Sequence, residues 1–233
     1  TFRERYGKYG PQVWSSLRLT DHNAVNYELL TMLVVMAVAG KLSPEGAPEN
    51  GAVLVFLSGQ KEITTLQEEL LRTPELRGDP QRSWVMPLHG TLPSEEQRKV
   101  FQRPPNGVRK VVLATNVAET SITIDDVAVV IDTGRMKEMN YDGVRRLSSL
   151  EDVAVSRSNA RQRQGRAGRV ACGVGVLLMT RFRHQHLIPE RRLPEIQRVP
   201  LEQLVLRIHA IKISMLNQKA GTGRSAGPPC AGR

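Results

Sequence analysis

Three observations point to an α/β fold, an open parallel sheet with helices on both faces and a short helical C-terminal extension. Apolar runs of about five residues recur along the chain, among them Ala52–Leu57 (AVLVFL) and Val127–Ile131 (VAVVI). Segments with helical spacing separate these runs, an alternation that lets crossover helices link parallel strands. At 233 residues, 40% of them hydrophobic, the chain is long enough to bury a real core.

The elements follow in order. Residues 1–25 are polar and carry no clear period. From Asn26 to Ala39, the apolar face of Leu29, Leu30, Leu33, Val34 and Val38 predicts a helix. Residues 41–50, rich in Pro and Gly, read as a linker. Ala52–Leu57 is a strand, because an unbroken apolar run of that length needs cover on both faces. Glu62–Leu71 is an amphipathic helix, Trp84–Leu88 a second strand, and Pro93–Phe101 a helix. Ser94, Glu95 and Glu96 suit the first turn of that helix, where acceptors and negative charge are favoured.

Arg109–Ala114, Val127–Ile131 and Gly175–Met179 supply three further strands, and Pro200–Ile211 an amphipathic helix. From Asn217 the composition shifts to Gly, Ser, Pro and Arg, so a disordered tail is expected. The chain thus divides into a lead-in helix and linker (1–50), a sheet domain (51–193), a helical extension (194–216) and a tail (217–233).

Charge narrows the functional classes. Thirty-three basic residues face 23 acidic ones, a formal charge of +10 that suits a polyanion such as nucleic acid. Aromatic side chains make up only 4%, which disfavours a sheet that stacks bases on its surface. Two cysteines, Cys172 and Cys230, exclude a disulfide framework and a Cys-based zinc site, and no metal ligand is assigned. The longest apolar run, Met32–Ala39, falls well short of a membrane span, and the first residues lack the apolar core of a signal peptide. A reducing intracellular setting is expected, the cytoplasm rather than the nucleus, with no membrane partner.

In an open parallel sheet, ligands bind beyond the carboxyl ends of the strands. Directly after the third strand come Thr115 and Asn116, and the segment runs on with hydroxyls and carboxylates to Asp126. That chemistry suits phosphate and sugar contacts, although a cluster of local backbone caps would look the same. The stretch from Arg161 to Arg169 (RQRQGRAGR) is sharper, with four arginines and two glycines in nine residues. Gln162 and Arg166, four apart, would share a helical face, while Gly165 and Gly168 let the chain turn. Arg166 and Arg169 would then form two forks aimed at one point, as a phosphoryl group gaining charge requires. A solvated basic helix is the plain alternative, and it leaves the glycines unexplained.

These residues carry a family resemblance. Residues 162–169 (QRQGRAGR) resemble motif VI of the DEAH/RHA-type superfamily-two RNA helicases, and residues 114–126 (ATNVAETSITIDD) are similar to their motif V. Ala52–Gly59 with Glu62 and Ile63 resembles motif IV, Ser58 standing where the family usually has Pro. Residues 87–90 (PLHG) with Glu96, Gln97, Val100 and Phe101 match the next block, Gly90 standing where Ser is commoner. Residues 194–204 (PEIQRVPLEQL) are similar to the opening of the family's winged-helix region. The match runs from about Asn26 to Ile213 in the family's order, and Gln162 separates it from the DEAD-box group, which has His there.

The resemblance implies a RecA-like sheet and ATP hydrolysis with Mg²⁺ between two RecA-like domains, this chain being the second. Arg166 and Arg169 would be arginine fingers and Gln162 would help place the attacking water. Asp125 would contact the ribose, Phe101 would stack on adenine, and Ser121 and Thr123 would sense the nucleotide. Thr115 and Asn116 would touch the RNA backbone without reading bases. Residues 136–150 would form a strand-separating hairpin turning at Asp142 and Gly143. The 233 residues hold no Gly-x-x-x-x-Gly-Lys-Ser/Thr loop and no Asp-Glu-Ala-His. ATP and Mg²⁺ would therefore be held mainly by a first RecA-like domain, which is the expected protein partner beside RNA. A protein activator is a further partner class. The chain alone is expected to be inactive, and a non-catalytic RNA- or protein-binding fragment is the alternative.

Overall fold

The computed structural model describes residues 9–21, 23–42, 51–120, 122–169 and 172–222, together with Glu4 and Gly7. The chain separates into two compact units, residues 1–138 with 152–192, and residues 139–151 with 193–233.

In the first unit, helices α1 (Pro11–Leu19) and α2 (Tyr27–Val38) precede strand β1 (Ala52–Phe56) and helix α3 (Gln60–Arg72). A 3-10 turn (Gln81–Trp84) leads into β2 (Val85–Leu88), and helix α4 (Ser94–Arg98) continues as a second 3-10 turn (Lys99–Phe101). Then come β3 (Val111–Ala114), α5 (Val117–Thr120), β4 (Val127–Asp132), the hairpin strands β5 (Arg135–Asp142) and β6 (Leu147–Ala154), α6 (Arg157–Gln164) and β7 (Val174–Leu177).

Five strands form one sheet in the order β2-β3-β1-β4-β7, and all four pairings are parallel. Both faces are covered, and β1 shows why an unbroken apolar run was needed. Val53 and Val55 enter one core with Leu30 and Val34 of α2 and Ile63, Leu66 and Leu70 of α3. Ala52, Leu54 and Phe56 enter the other with Leu88, Val100, Ala118 and Ile124. The two-residue period of a strand sends alternate side chains to opposite faces, and both faces are dry.

The expected strands are present with shifted ends, β4 running on to Asp132 and β7 starting at Val174. Arg109 and Lys110, expected inside the third strand, precede it and are buried. Arg109 donates from Nε to Gly51 O at 2.6 Å and from Nη1 to Ala37 O at 2.6 Å, tying the end of α2 to the entrance of β1. The expected helix at 93–101 tightens after Arg98 into a 3-10 turn. Helix α1 lies in a stretch that had shown no period, and none of its residues is buried. The linker expected at 41–50 falls outside the described residues from 43 onward, as does Cys230, whereas Cys172 is exposed.

The hairpin matches the expected one in position, and Asp142 Oδ1 accepts from the N–H of Val144 and Arg145 at its turn. Its base belongs to the first unit, where Arg135 Nε pairs with Asp152 Oδ1 at 2.8 Å. Its distal part, residues 139–151, belongs to the second unit, which also contains a 3-10 turn (Glu195–Gln197) and α7 (Glu202–Thr222). Within that unit Arg198 Nη1 donates to Met139 O at 3.0 Å. Helix α7 continues through Thr222, so the tail expected from Asn217 is helical in its first residues, and those after 222 lie outside the described set.

Candidate functional site

The first polar cluster follows the carboxyl end of β3, and the fold brings the second, at the end of α6 and ahead of β7, against it. The N–H of Thr115 donates to Leu88 O at 3.1 Å, extending the β2–β3 ladder by one rung and burying this residue, while Asn116 is exposed. Helix α5 follows at once, and its Glu119 is buried. Helix α6 begins at Ser156, whose hydroxyl accepts from Asn159 N at 3.2 Å and satisfies one of the free N–H groups of the first turn.

Arg163, on the inner side of α6, is completely buried, 0% exposed. Its Nε donates to Glu119 Oε2 at 3.0 Å, and its Nη1 to Asp132 Oδ1 at 2.8 Å and to Arg135 O at 3.1 Å. The guanidinium carbon sits 4.8 Å from the centre of the Phe56 ring, a cation–π contact. Asn159 Nδ2 donates to the other carboxylate oxygen of Glu119. A chain of buried charges therefore locks α5, α6 and β4 into one block. Burial pushes the Asp132 carboxyl above its ordinary range, more than Arg163 and the Gly134 N–H draw it down, and the Glu119 charge adds to the rise.

Past the helix the backbone turns. Gly165 caps α6, its N–H donating to Arg161 O, so Arg166 stands in a turn rather than on the helix. The shared helical face expected for Gln162 and Arg166 is thus not formed: α6 ends at Gln164, and Gln162 is exposed on it. Gly165 caps the helix in right-handed backbone, and Gly168, at φ +80°, then turns the chain between Arg166 and Arg169. Gly173 lies against the same turn, where a Cβ would come within 2.5 Å of Gly168 N.

Arg166 is buried, and its Nη1 donates to Ile122 O at 3.0 Å while its Nη2 donates to Glu119 O. Burial first, and then the nearby Arg169 charge, lower its pKa, opposed by Glu119. Arg169 is exposed, and its Nη1 donates to Thr123 Oγ1 at 3.1 Å. Both guanidinium tips therefore meet the 119–123 segment, in the link from the carboxyl end of β3 to the amino end of β4, and among the described residues neither is ion-paired. Arg161, by contrast, is drawn outward into an ion pair with Glu190.

The other candidates are more scattered. Thr123 is exposed, and Ser121 lies outside the described residues. Asp125 is exposed one residue before Asp126, at the amino end of β4. Phe101 is 51% exposed at the end of its 3-10 turn, where Val100 takes the core position that Phe101 would otherwise have filled. Among the described residues no three His, Cys, Asp or Glu side chains converge on a metal position.

Sequence reasoning passed over Glu119, Asp132 and Arg163. The signal was present but indirect. Asp132 ends an apolar run, Glu119 follows a buried Ala118, and Arg163 lies three residues after Ala160, one helical step along the same inner face.

Comparisons with known proteins show the family. A family model described as helicase conserved C-terminal domain matches residues 36–171. A human protein, the putative ATP-dependent RNA helicase DHX57, is 46% identical over 227 residues, 97% of this chain and 16% of its own length. The ATP-dependent DNA/RNA helicase DHX36 of Rattus norvegicus is 39% identical over 211 residues, 91% of this chain and 20% of its own. The solved structure of the Escherichia coli DEAH/RHA helicase HrpB superposes with a TM-score of 0.65 at 30% identity, covering 79% of this chain and 22% of that one. This chain spans a minor part of these relatives. With a RecA-like sheet, a matching family model over more than half its length and close relatives along nearly all of it, the chain belongs to the DEAH/RHA-type ATP-dependent RNA helicases as their second RecA-like domain.

Proposed function

We propose that this chain is the half of an ATP-driven RNA motor that completes hydrolysis in trans, on a nucleotide held mainly by a first RecA-like domain. The observation that carries this reading is the meeting of Arg166 and Arg169 with the 119–123 segment, which links β3 to β4. Two of the five N–H groups of Arg166 are bound to carbonyls, so its fork is pre-aimed while further donors remain for a phosphate. Arg169 projects beyond it, held by one hydroxyl. Such preorganised cations act where negative charge grows as the γ-phosphoryl group transfers.

In this reading Gln162, exposed on α6, helps place the attacking water, and Ser121 and Thr123 report which nucleotide is bound. Thr123 links that report directly to Arg169. Phe101 stacks on adenine and Asp125 takes the ribose. Thr115 and Asn116 contact RNA phosphates and sugars, so binding is independent of base sequence. Translocation runs 3′ to 5′, with the hairpin of β5 and β6 separating strands. Mg²⁺ enters with the nucleotide on the first domain, a protein activator is a further partner, and the setting is the cytoplasm.

In a helicase carrying this chain behind its phosphate-loop domain, Arg166→Ala and Arg169→Ala should retain RNA affinity and lose ATP turnover. The loss of one arginine finger costs about three to five decades in rate. Undiminished hydrolysis in both variants would overturn the assignment. A second reading, a non-catalytic RNA- or protein-binding fragment, is favoured by the lack of a phosphate loop in these 233 residues. Hydrolysis restored on joining the chain to an upstream half, and abolished again by Arg169→Ala, decides for the motor.

A further inference from the structure

Lys110 is fully buried, 0% exposed, just before β3. Its Nζ donates to Val100 O at 2.7 Å and to Gln102 O at 2.9 Å, and it pairs with Asp126 Oδ1 at 2.9 Å. An ammonium has three N–H groups, and these acceptors use all of them. A buried cation is costly unless partnered in this way, and a methionine would fill the same slot without that cost. What distinguishes the ammonium is the set of backbone and side-chain atoms it holds in register.

That set is specific. Val100 and Gln102 flank Phe101, so one cation pins the backbone on both sides of that residue. With Val100 buried beneath it, the Phe101 ring is left on the outside. Asp126, the third acceptor, adjoins Asp125, and its own carbonyl accepts from Ala52 N at 2.6 Å, so its backbone is held as well. The segments bearing Phe101 and Asp125 are distant in sequence and meet at a single nitrogen.

We propose that Lys110 is a positioning residue for nucleoside recognition: its buried ammonium registers the base-stacking ring of Phe101 against the ribose-binding carboxylate of Asp125. The ligand class is a purine nucleoside di- or triphosphate, held here by base and sugar while the arginines address phosphate. The inference rests on the nucleoside roles of Phe101 and Asp125 proposed above, and the test separates the two.

The experiment uses this chain joined behind a phosphate-loop RecA-like domain. It measures binding of ADP, and of inorganic pyrophosphate by competition, for the parent, Phe101→Ala, Lys110→Met and Asp126→Asn. Phe101→Ala should weaken ADP about tenfold, the size of one base–aromatic stack, and leave pyrophosphate unchanged. Lys110→Met should reproduce that pattern. Asp126→Asn keeps the shape of the site and should give the same selective loss, about threefold, which decides the matter if Lys110→Met does not fold. A selective loss in Phe101→Ala without one in the Lys110 or Asp126 variants overturns the proposal and leaves the Phe101 reading standing. Unchanged ADP binding in Phe101→Ala overturns that reading itself. Equal loss of ADP and pyrophosphate in Lys110→Met shows a general structural role and also overturns the proposal.

Discussion

Arg163 shows how one side chain in a basic run takes a different task from its neighbours. Of the four arginines in residues 161–169, Arg161 pairs outward with Glu190, Arg166 and Arg169 meet the 119–123 segment, and Arg163 is swallowed by the core. It is tolerated there because Glu119 and Asp132 both accept from it. Glu119→Ala should therefore lower stability by about 3 kcal/mol, since half of the buried pairing is lost and Asp132 remains. The urea midpoint reads that loss, and Glu119→Gln should recover much of it because the amide oxygen still accepts from Arg163.

Asp132 has a pH signature. Its folded pKa is raised by burial, so the folded state binds a proton more readily than the unfolded chain. Its contribution is fully favourable below the unfolded value of about 4 and is lost as pH rises through the raised folded value. The stability of the parent relative to Asp132→Asn should accordingly grow as the pH falls from 7 toward 4. A parallel pair of stability curves across that range would contradict the assignment. None of these roles could be read from residue type, because a buried and a solvated arginine look alike until a carboxylate distant in sequence is placed beside one of them.

Among the elements, strands were the more legible. The apolar runs at 52–57, 84–88, 109–114, 127–131 and 175–179 each overlap an observed strand, because a strand dry on both faces cannot conceal its composition. Helix α1 escaped the same reading, and α6 was anticipated only as the helical face of Gln162 and Arg166. The first buries nothing, and the second buries only Ala160 and Arg163, so neither has an apolar stripe to betray it. The loop after α6 is the element on which the arginine geometry depends. Gly168, at φ +80°, reverses the chain between Arg166 and Arg169. Gly168→Ala should cost about 1–2 kcal/mol through the left-handed backbone, seen as a lower melting temperature. Its ATP turnover should fall further than that loss explains, with RNA affinity retained, because Arg169 is displaced from Thr123.

For the molecule as a whole, the motor reading makes a plain demand on the isolated chain. It should bind RNA through its +10 charge, with affinity that declines as salt rises, and show no RNA-stimulated ATP hydrolysis. Turnover by the chain alone that disappears in Arg166→Ala would contradict the trans arrangement. Local pattern was enough to establish an α/β sheet dry on both faces and the rough span of its strands, and to single out the two polar clusters. Composition and spacing are local properties, and burial on both faces leaves its mark on every residue of a strand. The strand order β2-β3-β1-β4-β7, the burial of Arg163 between Glu119 and Asp132, and the convergence of residues 100, 102 and 126 on Lys110 came only with the folded chain. Each depends on groups that are not sequence neighbours, whose pairing is set by the desolvation they share once packed and not by any property of the residues beside them.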